Sequence, residues 1–214
     1  EISCSLVGSE MCIRDRLKDK ALETMDTSSR QNYDDSIKEQ VGVVISLLSE
    51  INNEYKSGKY TLDEAKKIAA DEIRQMRYGE AGYFWVDQSD GKNIVLLGSS
   101  TEGTNRMNTK DADGYQMVKE IIRVAVQDGG GYTDYVFPKE GETEPSPKRS
   151  YSEYFKPFDW VVGTGNYTDY IDTAIAQQDE EFTSYASSKA ISLILCSVCM
   201  LIVVAILVAP VSYT

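Results

Sequence analysis

Aromatic residues at alternate positions, with a few cations among them, are the part of this sequence best able to do chemistry. Tyr83 and Trp85 fall on one face of a candidate strand, with Phe84 and Val86 on the other. Tyr135 and Phe137 alternate likewise, as do Tyr151, Glu153 and Phe155. Tyr and Trp carry hydrogen-bonding groups that need partners when buried. A mostly apolar pocket with a few aimed polar groups is a common way to hold a small molecule with such a set. Core packing is the other use open to each aromatic. Basic residues are scarce in the strand region, which makes Arg106, Lys148 and Arg149 conspicuous. The net charge of −12 repels anions overall, so an anionic ligand needs a local cation. Arg106 offers a bidentate fork to a carboxylate, and Lys148 begins a strand from which its ammonium reaches over a sheet. Solvated surface charge is the alternative for each.

What is missing narrows the chemistry further. The chain has no histidine, which excludes a Ser-His-Asp triad, a Cys-His pair and every histidine-containing zinc signature. No motif encodes a reaction, and the acidic residues show no organising pattern for glycoside chemistry. Gly129-Gly130-Gly131 follows a helix instead of leading into one, so it is a helix stop and not a phosphate loop. The four cysteines lie at Cys4, Cys12, Cys196 and Cys199, and none between Leu17 and Lys189, so no disulfide framework is implied. An acidic surface argues against nucleic acid and against lying flat on anionic lipid. The expectation is a binding protein with no catalytic residues, no cofactor and no metal.

The elements that must position these residues follow from periodicity. Ile37, Val41, Val44, Leu48, Ile51 and Tyr55 recur at spacings of four and three, the seam of a long helix. That seam serves either a dimer or the cover of a sheet. Thr61 with Glu64 forms a capping box for a second helix carrying Leu62, Ala65, Ala69, Ile73 and Met76. Tyr83 to Val86, the turn Asp90-Gly91 and Asn93 to Leu97 read as a hairpin. A polar loop to Asp111 follows, then a helix over Met117 to Ala125 with Asp113 placed to cap it. Strands are expected at Tyr132 to Phe137, Lys148 to Phe155 and Trp160 to Tyr167. A helix from Thr168 or Asp169 runs on through Lys189. The order implies an α+β domain with a five-stranded, mostly antiparallel sheet covered on one face by the long helix.

From Ala190 to Thr214 there is no charged residue, and Ile191 to Val208 contains twelve Leu, Ile and Val. About 20 apolar residues cross a bilayer core, so residues 190–211 are expected to be a transmembrane helix. The stretch Ser5 to Arg16 resembles a translated sequencing adaptor, so residues 1–16 are expected to be an artefactual N-terminus on a fragment of a longer protein.

Several blocks resemble those of single Cache domains. They are Gly79-Glu80-Ala81-Gly82-Tyr83-Phe84-Trp85-Val86, Glu102-Gly103-Thr104-Asn105, Asp111-Ala112-Asp113-Gly114, Pro138-Lys139, Pro147-Lys148-Arg149-Ser150-Tyr151 and Trp160-Val161-Val162-Gly163-Thr164-Gly165-Asn166-Tyr167. The resemblance covers roughly Tyr33 to Ile175. It implies a long N-terminal helix against a PAS-like sheet, placed outside the cytoplasmic membrane over residues 17–189. It further implies the sensing part of a bacterial methyl-accepting chemotaxis receptor, commonly a homodimer, recognising small organic molecules such as short carboxylates. Many relatives carry a His-Pro pair where this chain reads Leu97-Gly98-Ser99, so its ligand is open to differ. On that reading Tyr83, Trp85, Tyr135 and Tyr151 form walls and hydrogen bonds, and Arg106 and Lys148 neutralise a carboxylate. The same sensor could serve a histidine kinase or a cyclic-dinucleotide enzyme. An anchored structural protein without a small ligand is the reading from another class.

Overall fold

The structure is a computed structural model that describes residues 6–208 apart from Glu80, Ala81 and Glu140; the side chains of 6–11, 14, 190, 193–194 and 201–208 also lie outside the description. The elements run α1 (Leu6–Lys56), α2 (Leu62–Gln75), β1 (Arg77–Tyr78), β2 (Gly82–Gln88), β3 (Asn93–Leu96), α3 (Met117–Asp128), β4 (Gly131–Pro138), β5 (Pro145–Phe155), β6 (Trp160–Tyr167) and α4 (Asp169–Val208). A single 3-10 turn, Lys156–Phe158, joins β5 to β6.

Local signals account for most of these boundaries. The capping box of α2 forms as expected: Thr61 donates its backbone N–H to Glu64 Oε2 at 2.8 Å, and Glu64 N–H donates to Thr61 Oγ1 at 3.3 Å. The α3 helix ends at Gly129 in the left-handed region. Its start differs from expectation. Asp113 does not cap it; the helix opens after Gln116 without a side-chain cap. Asp111 instead takes the backbone N–H groups of Asp113 and Tyr115 at 3.0 and 2.8 Å, forming the turn that precedes the helix. The residues of α1 before Tyr33 carry no apolar seam, which is why periodicity did not reveal them.

The sheet has six strands, not five, in the order β1-β2-β6-β5-β4 with β3 also paired to β2, and every pairing is antiparallel. The additional strand, β1, is only two residues long, too short to leave a pattern in sequence.

Residues Ser28–Tyr170 form one compact unit and contain the whole sheet. Within it, pleating divides the sheet into two faces. Tyr33, Ile37, Val41, Val44, Leu48 and Ile51 of α1 are all buried, and the first turns of that seam are bonded to β4, β5 and β6 through Tyr33 and Asp34. The seam therefore covers the sheet. On the opposite face α3 buries Met117, Val118, Ile121, Ile122 and Ala125 against Trp85 and Val161. The second unit comprises Glu1–Thr27 and Ile171–Thr214. There Lys18 Nζ bonds Asp179 Oδ1 at 2.6 Å and Thr183 Oγ1 at 3.1 Å.

Among the described residues, no helix is long and apolar enough to cross a membrane. The expected span, 190–211, reaches past the described residues at 209–211, and most of its remaining side chains also lie outside them.

Candidate functional site

The site is built on the α3 face of the sheet, where strand parity and cross-strand register bring its residues together. On β5 the even positions face α3: Lys148, Ser150, Ser152 and Tyr154. Ser152 confirms the direction by donating its hydroxyl to Ile121 O at 3.2 Å. Lys148 pairs with Tyr135 of β4 on one side and with Tyr167 of β6 on the other. Tyr83 and Trp85 of β2 enter from beyond β6. Gly163 and Gly165 lie on β6 between them and β5, so small residues form the floor and aromatic rings lean over it.

These side chains enclose a small cavity of about 20 Å³ lined by Tyr83, Trp85, Arg106, Tyr135 and Lys148, five of the six residues expected from sequence. Phe137 and Leu96 complete the sheet side, and Met117, Val118 and Ile121 of α3 form the opposite wall. A water needs roughly 10–15 Å³ of such space, so a cavity of this size suits a guest of few atoms.

Lys148 is the central charge. Only 2% of it is exposed. Its ammonium donates to Tyr83 Oη at 2.9 Å and sits 4.7 Å from the centroid of the Tyr83 ring, 5.0 Å from Tyr167 and 5.4 Å from Phe137. Among the described residues no carboxylate bonds it. Burial, reinforced by the nearby Arg106 charge, pushes its pKa down to about 8 from the ordinary 10.5.

Arg106 arrives on the loop after β3. The loop folds back onto the hairpin, where Arg106 N–H donates to Gly91 O at 2.8 Å and Lys92 bridges Asn105. Its guanidinium is not open as sequence suggested. Nε and Nη2 both bond the buried carboxylate of Asp87, each at 2.7 Å, and Asp87 takes a third bond from Asn93 Nδ2 at 2.9 Å. Arg106 is thus occupied by Asp87, leaving Lys148 as the cavity cation to which no carboxylate is bonded among the described residues. The phenols around it stay protonated: burial raises Tyr135 well above the usual tyrosine range, and burial together with Tyr83 pushes Tyr167 up to about 12.

Tyr151 does not belong to the site. It lies on the α1 face, its ring 5.0 Å from that of Tyr132 and under the Lys38 ammonium at 5.9 Å. An odd spacing from Lys148 puts the two on opposite sides of a pleated strand. The same parity places Asp87 with Tyr83 and Trp85, a relation legible in the sequence. Phe137 and Tyr167 followed from the same rule.

The cavity thus combines one buried cation, phenols that stay protonated and an apolar wall from α3. A sequence model of the family described as Single Cache domain 2 matches residues 29–181. The chain belongs to this family. The Cache domain is 30% identical over 123 residues to the methyl-accepting chemotaxis protein McpP of Pseudomonas putida, an alignment covering 57% of this chain and 23% of that protein. It is 34% identical over 123 residues to the sensor histidine kinase MctS of Rhizobium johnstonii, covering 57% of this chain and 26% of the kinase. The chain thus spans about a quarter of the length of the curated relatives it matches. Among solved structures, a Cache chemosensory domain described for carboxylic acid recognition superposes with a TM-score of 0.63 at 26% identity, covering 66% of this chain and 97% of that one.

Proposed function

We propose that this Cache domain binds a short carboxylate outside the cytoplasmic membrane and is the sensing part of a chemotaxis receptor. The observation that carries the reading is Lys148, a buried ammonium facing a small chamber with no anion bonded to it among the described residues. The carboxylate would accept from the Lys148 ammonium beside the phenols of Tyr83 and Tyr135, with Arg106 contributing its field while it holds Asp87. No bond is made or broken, so the domain's work is binding and not turnover. Residues 190–211 would supply the membrane span. A receptor dimer would use the outer face of α1, where Val43 is exposed, because the inner seam is already covered.

Likeness to McpP and to a carboxylic-acid-recognising Cache domain supports this reading. Likeness to MctS supports a second one, in which the same sensor is attached to a histidine kinase. Sequence beyond Thr214 separates the two. Ligand binding itself is tested by thermal shift with acetate and propionate against glycine and glucose. Stabilisation by the carboxylates alone is expected, following the logarithm of ligand concentration over Kd. Stabilisation by none of the four at large excess would overturn the proposal.

A further inference from the structure

Among the described residues, three buried side-chain polar atoms have no hydrogen-bond partner: Trp85 Nε1, Asn93 Oδ1 and Thr133 Oγ1. Only Trp85 also lines the cavity. It is 3% exposed, and an indole N–H is a donor with no acceptor capacity. Leaving such a donor buried and unpaired is costly, and native proteins seldom do so without a reason.

The fold goes to some length to hold this ring. Trp85 pairs with Leu96 on one side and Gly163 on the other. A Cβ on Gly163 would fall 2.5 Å from indole ring carbons and 2.8 Å from Nε1, so only glycine lets the indole lie on β6. Tyr83 holds the ring edge-on at 6.4 Å. The Lys148 ammonium is 5.9 Å from the indole centroid. Both residues line the same cavity, and a carboxylate accepting one bond from each would do so at about 2.7–2.9 Å, the usual length of charge-assisted bonds.

We infer that the Trp85 indole N–H is the second anchor of the bound anion: one carboxylate oxygen sits on the Lys148 ammonium and the other accepts from Trp85 Nε1. This rests on the reading of the cavity as a carboxylate site and adds a rule of discrimination. Two N–H donors at one anion donate to two oxygens. A neutral amide of the same shape presents an NH2 to one of them and leaves that donor unpaired, so acetate binds and acetamide does not.

The chain contains two tryptophans, Trp85 and Trp160, so a 15N-tryptophan-labelled sample in detergent micelles gives two indole resonances. The Trp85 signal is assigned by its nuclear Overhauser contacts to Gly163. Acetate is expected to move that indole proton downfield and leave Trp160 in place, while acetamide moves neither. Trp85→Phe keeps the ring and deletes the donor. It is expected to weaken acetate about 10- to 100-fold by calorimetry, the range for a hydrogen bond to a charged group. Acetate binding with an unmoved Trp85 indole, or with equal affinity in Trp85→Phe, overturns the anchor alone. No acetate or propionate binding to the unaltered chain overturns the carboxylate reading and the anchor with it.

Discussion

Lys148 and Arg149 are consecutive on β5 and face opposite sides of the sheet. The Lys148 ammonium lies in the cavity, while the Arg149 guanidinium holds Asp34 of α1 through Nε at 2.5 Å and Nη2 at 2.8 Å. Arg149 also bonds Asp134 at 2.6 Å and stacks on Tyr132 at 4.7 Å. A displacement of β5 at Lys148 would therefore reach, one residue later, the Arg149 clamp on α1. A ligand shifts a conformational balance only through its different affinity for the two states, and this adjacency offers a short route for that difference.

Removing the clamp should separate binding from its mechanical report. Arg149→Gln is expected to change acetate affinity by less than about twofold, because the guanidinium touches nothing in the cavity, and to cost about 1–2 kcal/mol for a partly exposed pair. Hydrogen exchange at α1 amides near Asp34 should cease to respond to acetate. A folded variant with collapsed affinity would place Arg149 inside the site.

Affinity should depend on pH through Lys148. With its pKa at about 8, acetate affinity is expected to be level below that value and to fall about tenfold per unit above it. Stability of the unliganded protein moves the other way. The unfolded lysine keeps its proton to about 10.4 while the native one releases it near 8, so the unfolded state binds more protons in between. Stability then rises with pH, by about 2–3 kcal/mol between pH 8 and 10. Above that window unfolded phenols ionise while the native tyrosines, raised by burial, do not, and the gain reverses. Lys148→Met should abolish acetate binding and flatten the rise from 8 to 10 in calorimetric scans; a variant that keeps the rise would assign it to another group.

The hydroxyl of Tyr33 accepts the backbone N–H of Asn166 at 2.5 Å and shares its proton with the carbonyls of Arg149 and Asn166, each at 2.8 Å. It caps β6 where β2 no longer runs beside it. Tyr33→Phe leaves those backbone groups without that partner and is expected to cost about 1–3 kcal/mol in urea denaturation. An unchanged midpoint would mean that other groups satisfy them.

Gly163→Ala tests the seat of the Trp85 indole on β6. Its methyl would enter the indole of Trp85 at 2.5 Å, and overpacking of this kind costs about 1–3 kcal/mol. Loss of acetate binding is expected with a circular dichroism spectrum close to that of the unaltered protein. Retained affinity would show that the indole can move without consequence for the guest.

Local patterns made most of this fold legible. The capping box at Thr61, the hairpin around Gly91 and the three C-terminal strands each announce themselves within a few residues. Parity makes the inward set readable as well, and the odd spacing of Tyr151 from Lys148 is what sends its ring to the α1 face. The bond from Arg106 to Asp87 was not readable. It spans 19 positions through an irregular loop, and nothing in either residue's neighbourhood names the other. Glu102 likewise organises that loop from a distance, taking the N–H groups of Leu96 and Gly98 at 2.7 and 2.9 Å and the Arg74 guanidinium at 3.0 Å.

The two-faced character of β5 carries an evolutionary corollary. Even-numbered positions shape the chamber and odd-numbered ones grip the long helix, so the two sets can drift independently. A descendant can acquire a taste for a different compound by exchanging Lys148 on the chamber side, while the Arg149 grip it inherits still works as before.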